Sequence, residues 1–126
     1  MTAGEAIGQA RALRPGCEMT EERMRSWLRR QDGEIRARLL PERGAEELAQ
    51  AGADLAGEGE LTDSTVLLVP FPFDGMYPHY LCAMMDAALG ENERYAGEMT
   101  RCNALLGEFA AWLRREHRPP ARRVIW

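Results

Sequence analysis

The chain has 126 residues, a length typical of one domain that buries a hydrophobic core without disulfides or metal. Its net charge of −4 argues against a globally basic nucleic-acid binder. The absence of an apolar signal-peptide core, and of any apolar run approaching the roughly 20 residues that span a bilayer, predicts a soluble intracellular protein with no membrane partner.

Two helices are predicted in the N-terminal third. Residues 2–13 carry apolar side chains at helical spacing, and Pro15 and Gly16 end this pattern. Thr20 precedes two glutamates and is a suitable N-cap for a second, amphipathic helix that continues to Pro41. The apolar face of this helix consists of Met24, Trp27, Leu28, Ile35 and Leu39.

A flexible acidic linker is predicted at about residues 42–64. From Glu42 to Asp63 there are seven acidic residues against Arg43 alone, and few large apolar groups are present. The β-branched run Thr65–Val69 then has the length of a strand. Because a lone strand is unstable, either the linker folds back as a hairpin partner or another copy pairs with it.

Two further helices are expected after the Pro-rich segment that follows the strand. Asp74 is a candidate cap for a helix that ends near Gly90, and Pro78 falls in its first turn. In the last helix an apolar stripe repeats at spacings of four and three residues. It consists of Tyr95, Met99, Cys102, Leu106, Phe109 and Leu113, with Trp112 beside it. The fold class is thus mainly α, a small bundle of about four helices with a short strand or hairpin before the third long helix.

The chemistry-bearing residues do not favour an enzyme. His79, Cys82 and Asp86 share one helix face and are the best candidate metal ligands, but a structural zinc site needs four ligands in close pairs. No third group is evident to orient His79 as a base for Cys82, and no Gly-rich loop offers an oxyanion hole. Together with Cys17 and Cys102, Cys82 is interpreted as a reduced thiol. We expect no catalytic residues, metal or cofactor.

Two stretches carry a family resemblance. They are "ARALRPGCEMTEERMRSWLRRQDGEIRARLL" and "LLVPFPFDGMYPHYLCAMMDAALGENERYAGEMTRCNALLGEFAAWLRREHRP", at residues 10–40 and 67–119. The Trp-Leu helix with its Asp-Gly, the Pro, Asp and Tyr spacing of the second stretch, and the aromatic-rich final helix resemble a small structural protein of tailed phages and prophages of Gram-positive bacteria.

The resemblance implies a non-enzymatic virion-assembly role, that of a head–tail connector or adaptor subunit docking on the portal. An adaptor role needs a ring or other homo-oligomer and contact with neighbouring head–tail proteins. The arginines of the C-terminal tail are candidates for non-specific contact with packaged DNA. The protein would act in the cytoplasm of the bacterial host and remain at the virion neck.

Two segments are candidates for the interaction surface. The prolines of Leu67–Phe73 keep that segment extended, so it forms either an inter-subunit arm or, with its phenylalanines packed inside, part of the core. A basic tail at residues 117–126 carries an apolar Val-Ile-Trp end that is either solvated or docks on a partner. The candidate interaction residues are Phe71, Phe73, Tyr77, Arg114, Arg115, Arg118, Arg122, Arg123 and Trp126.

A small DNA-binding regulatory module is the alternative function. Residues 21–40 form an Arg-rich helix that could serve as a recognition element. Four acidic residues share this helix, however, and the domain is acidic overall. The arginines concerned are Arg23, Arg25, Arg29, Arg30, Arg36 and Arg38.

Overall fold

A computed structural model describes residues 1–39 and 61–116, and within them the chain is mainly helical. The four helices of this part are α1 (Ala3–Leu13), α2 (Glu21–Leu39), α3 (Met76–Ala88) and α4 (Asn92–Glu116). The predicted small helical bundle is confirmed. None of the helices in the described ranges is long and apolar enough to cross a membrane.

Helix α1 begins at a capping box. The Thr2 hydroxyl accepts the N–H of Glu5 at 3.1 Å, and the Glu5 carboxylate accepts the N–H of Thr2 at 3.3 Å. The helix then buries a face of small and branched residues, Ala3, Ala6, Ile7 and Ala10. Gly16, with a φ of +86°, turns the chain toward α2.

Helix α2 begins as the sequence predicts. The Thr20 hydroxyl accepts the N–H of Arg23 at 3.2 Å, which satisfies one of the free donors of the first turn. Met24, Trp27, Leu28 and Ile35 are buried, as their spacing predicts.

Helix α3 lies at the centre of the bundle and packs against each of the other three helices. A three-residue turn, 89–91, connects it to α4, and Gly90 adopts a φ of +76° there. This short connection places α3 and α4 side by side as a helical hairpin. Of the predicted stripe of α4, Cys102, Phe109 and Leu113 are buried in the core. Met99 and Leu106 are partly buried, and Tyr95 stays 38% exposed.

The strand expected at Thr65–Val69 is reduced to one antiparallel bridge between Thr2 and Val66. No strand or sheet occurs in the described ranges. The reason is that the partner backbone turns directly into α1, so the ladder ends after one pair. The carbonyls of Thr65 and Asp63 instead accept the N–H groups of Ala3 and Gly4, at 2.9 and 3.0 Å, and so cap α1.

The start of α3 and the described end of the predicted linker both contact the first residues of the chain. Asp74 does not cap α3 with its side chain, because Gly75 occupies the N-cap position and the Asp74 carboxylate lies 3.3 Å from the amino group of Met1. Most of the predicted linker, and the hairpin partner within it, lies outside the described residues. The described end of the linker, residues 61–64, is held against the start of α1.

Candidate interaction site

The Pro-Phe-Pro-Phe turn is fixed on its N-terminal side by buried residues. Leu67, Leu68 and Val69 are at most 2% exposed. The N–H of Leu68 donates to the Asp32 carboxylate at 3.1 Å, and the N–H of Val69 donates to the Tyr77 hydroxyl at 2.9 Å. These bonds attach the extended segment to α2 and α3, so the turn that follows starts from a defined position.

The two phenylalanines of the turn have opposite environments. Phe73 is half-buried, and its ring centroid lies 5.9 Å from those of both Phe109 and Trp112 on α4. Phe71 is 83% exposed, more than any other large apolar side chain of the described residues. The turn closes through a hydrogen bond of 2.9 Å from the N–H of Phe73 to the carbonyl of Pro70. It therefore projects one aromatic ring into solvent while a second ring anchors it.

Tyr77, another candidate interaction residue, lies wholly inside the protein. Its hydroxyl donates to the Asp32 carboxylate at 2.5 Å and accepts the N–H of Val69. Burial, followed by the nearby Asp32 charge, raises the pKa of Tyr77. Burial also raises the pKa of Asp32 to about 6, against the opposing effect of its hydrogen bonds from Tyr77 and Leu68. This pair supports the turn from within.

The residues considered as metal ligands are engaged with other partners. His79 Nδ1 lies 2.6 Å from a carboxylate oxygen of Glu98, and Asp86 receives two hydrogen bonds from Arg14, at 3.0 and 2.9 Å. Burial raises the pKa of the Cys82 thiol to about 11, which disfavours the nucleophilic thiolate. No group of three or more His, Cys, Asp or Glu residues in the described ranges could hold a metal ion.

Arg14 was not singled out in the sequence, yet it joins three helices. It sits at the C-cap of α1, forms a bidentate pair with Asp86 of α3, and donates to Glu98 of α4 at 3.0 Å. The hydrogen bonds that Arg14 donates to Asp86 are the main cause that raises the pKa of Arg14. Asp86, the one acidic residue of α3, was the signal in the sequence that could have indicated this cluster.

Several arginines of α2 contact neighbours within the chain. Arg25 lies 3.2 Å from Asp63 and 3.6 Å from Glu21, and the guanidinium of Arg23 lies 5.4 Å from the Trp27 ring centroid. Arg30 and Arg38 are exposed. The outer surface of α2 is therefore only partly available as a basic face.

Two of the five candidate arginines near the end of the chain lie within the described residues. Arg114 and Arg115, in the last turn of α4, are exposed. Arg118, Arg122, Arg123 and Trp126 lie outside the described residues.

A groove with a volume of about 260 Å³ lies between α2 and α4. It exists because these two helices scarcely touch each other, while both pack on α3. Its apolar wall comes from both helices, and charged groups lie among the lining residues. The lining consists of Gln31, Glu34, Ile35 and Arg38 of α2 and Leu106, Gly107 and Ala110 of α4.

Comparison with known proteins gives no relative: no family model, no curated protein and no solved structure matches this chain.

Proposed function

We propose that this chain is a non-enzymatic virion-assembly protein of a tailed phage or prophage, a head–tail connector or adaptor subunit that docks on the portal. The observation that carries this proposal is the 83% exposure of Phe71 in a turn anchored on both sides. The resemblance of residues 10–40 and 67–119 to phage structural proteins of Gram-positive bacteria supports it.

An exposed phenyl ring contributes little to folding, whereas aromatic side chains are enriched in protein interfaces. Here the turn that carries the ring is anchored by the buried Val69 on one side and by Phe73 on the other. Because the turn is already ordered, binding through it costs less conformational entropy than binding through a free arm. A subunit that docks on a preformed portal is expected to have this property.

The partners under this proposal are further copies of the chain, the portal and neighbouring head–tail proteins. Arg114 and Arg115 add an exposed basic end to α4, which suits non-specific contact with packaged DNA. The protein would act in the cytoplasm of the bacterial host during assembly and remain at the virion neck.

The test is an affinity purification of the tagged chain from its native host after prophage induction, followed by mass spectrometry. We expect the portal or neck proteins to co-purify, and Phe71→Ala to reduce their recovery severalfold. Leu89→Ala is the matched control, because Leu89 is 62% exposed but lies at the end of α3, away from the turn. Recovery of none of these proteins with the wild-type chain would contradict the proposal.

The alternative is a small DNA-binding regulatory module, which the exposure of Arg30 and Arg38 on α2 favours. The contacts of Arg25 with Glu21 and Asp63 count against it, since they neutralise part of that face. A mobility-shift assay with duplex DNA discriminates the two functions. Salt-dependent binding that Arg30→Ala and Arg38→Ala weaken would favour the DNA-binding module.

A further inference from the structure

Phe71 and the groove between α2 and α4 lie on different parts of the protein surface. Phe71 does not line the groove. The turn contacts the side of α4 that carries Phe109 and Trp112, while the groove uses Leu106 and Ala110. Successive residues of a helix are about 100° apart, so the groove opens on a neighbouring side of α4.

We infer that Phe71 of one copy inserts into the α2–α4 groove of a second copy, which gives a head-to-tail contact between subunits. This inference rests on the assembly role proposed above and names the surfaces through which copies of the chain meet. Since the two surfaces differ, a pair of subunits joined in this way keeps one free Phe71, on one subunit, and one free groove, on the other, and the contact can repeat until a ring closes.

The size of the groove fits a phenyl ring. An apolar cavity of about 150 Å³ accommodates benzene, and this groove has a volume of about 260 Å³. Gly107 leaves its wall open, because a Cβ atom built at that position would meet no atom within 4 Å. Ile35 and Leu106 supply apolar contacts on the two sides.

The charges also fit an aromatic ring as the occupant. Arg38 lines the groove, and a guanidinium over the face of a phenyl ring is attractive. On the opposite side of the contact, Arg115 lies one helical turn beyond Trp112, whose ring packs on Phe73. Glu34, in the groove, is the acidic group that Arg115 of the next copy can approach, and opposite charges across an interface fix its register.

The experiment uses purified full-length chain and measures its mass by analytical ultracentrifugation over a range of concentrations. Phe71→Ala removes the ring, and Gly107→Trp fills the groove. Two controls change matched positions elsewhere: Leu89→Ala removes another exposed apolar side chain, and Gly8→Trp adds the same bulk at an exposed helical glycine with no atom within 4 Å of its Cβ position. Circular dichroism establishes that all four variants remain folded.

We expect the wild-type chain and both controls to self-associate. The Phe71→Ala and Gly107→Trp variants should be monomeric, or should self-associate with an affinity at least about 30-fold lower. An equimolar mixture of these two variants should form a one-to-one dimer and nothing larger, because one supplies only the groove and the other only the ring. A monomeric wild-type chain, as expected if its own residues fill the groove, would overturn the inference. So would unchanged association of either variant, or failure of the mixture to dimerise.

These outcomes are separable from those of the proposed function. A wild-type chain that co-purifies with the portal but is monomeric refutes the Phe71–groove contact alone. A chain that self-associates through Phe71 and the groove but recovers no portal or neck protein refutes the assembly role alone.

Discussion

Gly4 lies where α1 approaches the extended segment most closely. A Cβ atom at this position would come within 3.0 Å of both the Cβ and the carbonyl oxygen of Asp63. That carbonyl accepts the N–H of Gly4, so the segment cannot move away without weakening a cap of α1. We expect Gly4→Ala to lower the free energy of unfolding by about 1–3 kcal/mol, as overpacking does elsewhere.

The matched control is Gly8→Ala in the same helix, where a Cβ atom would meet no atom within 4 Å. It should raise the free energy of unfolding by about 0.5–1 kcal/mol, because alanine favours a helix interior. Urea denaturation monitored by circular dichroism measures both. Equal effects of the two substitutions would mean that Asp63 does not approach α1 closely.

Asp32 gives the fold a specific dependence on pH. Its pKa is raised from 3.8 to about 6 in the folded protein, mainly by burial. A carboxyl with a raised folded pKa contributes its stability below the unfolded value and loses it as pH rises through the folded value. Because one pKa unit corresponds to about 1.4 kcal/mol, Asp32 should lower the free energy of unfolding by about 2–3 kcal/mol between pH 4 and 7.

Asp32→Asn isolates this effect, since asparagine keeps an acceptor for Leu68 or Tyr77 and does not titrate. The difference in unfolding free energy between wild-type and variant protein should move in favour of the variant as pH rises from 4 to 7. Urea titrations at several pH values measure it. A difference that is constant with pH would show that Asp32 titrates near its ordinary pKa.

At the scale of helices, Arg14 fastens α1 to α3 and α4. Asp86 is only 1% exposed, so removing its bidentate partner leaves a buried charge uncompensated. We expect Arg14→Ala to lower the free energy of unfolding by about 3 kcal/mol or more, measured by urea denaturation.

Arg14→Lys is an informative second variant, because lysine keeps the positive charge but cannot form the bidentate pair. Its free energy of unfolding should lie between those of the wild-type protein and Arg14→Ala. Replacing both partners, in Arg14→Met with Asp86→Leu, should recover much of the loss, since the buried Asp86 charge is removed and Glu98 keeps its contacts with His79 and Arg101. A double variant as unstable as Arg14→Ala would indicate that Arg14 stabilises the fold by packing alone.

Local sequence patterns predicted the helices well but not the long-range contacts between distant parts of the chain. The spacing of Met24, Trp27 and Ile35 and the cap at Thr20 are periodic or adjacent signals, and both agree with the structure. The pairs Arg14–Asp86 and Thr2–Val66 leave no such trace, because they join residues more than 60 positions apart.

The candidate site was likewise predictable from the sequence only in part. The sequence indicated the Pro-Phe-Pro-Phe segment as an arm or as core. It could not separate Phe71 from Phe73, because the packing of Phe73 depends on Phe109 and Trp112 across the bundle. The groove was also missed, since it arises from the distance between α2 and α4 and from no property of either helix alone.

At the scale of the whole molecule, one phenylalanine of the turn should contribute to stability and the other to association. Phe73 packs on Phe109 and Trp112, and we expect Phe73→Ala to lower the free energy of unfolding by about 2–3 kcal/mol, somewhat less than a fully buried phenylalanine. Phe71→Ala should change it by less than about 0.5 kcal/mol, because the ring is exposed. Thermal and urea unfolding measure both. A large loss of stability in Phe71→Ala would show that Phe71 packs on the fold instead.

The capping of α1 by the carbonyls of Asp63 and Thr65 also bears on how the protein emerges from the ribosome. Helix α1 is synthesised before the residues that cap it, because two of its first N–H groups find their acceptors about half a chain later. At translation rates of about 5–20 residues per second, those acceptors follow roughly 3–12 seconds afterwards. During that interval the nascent helix is incomplete at its start, and its completion coincides with the arrival of the segment that carries Phe71.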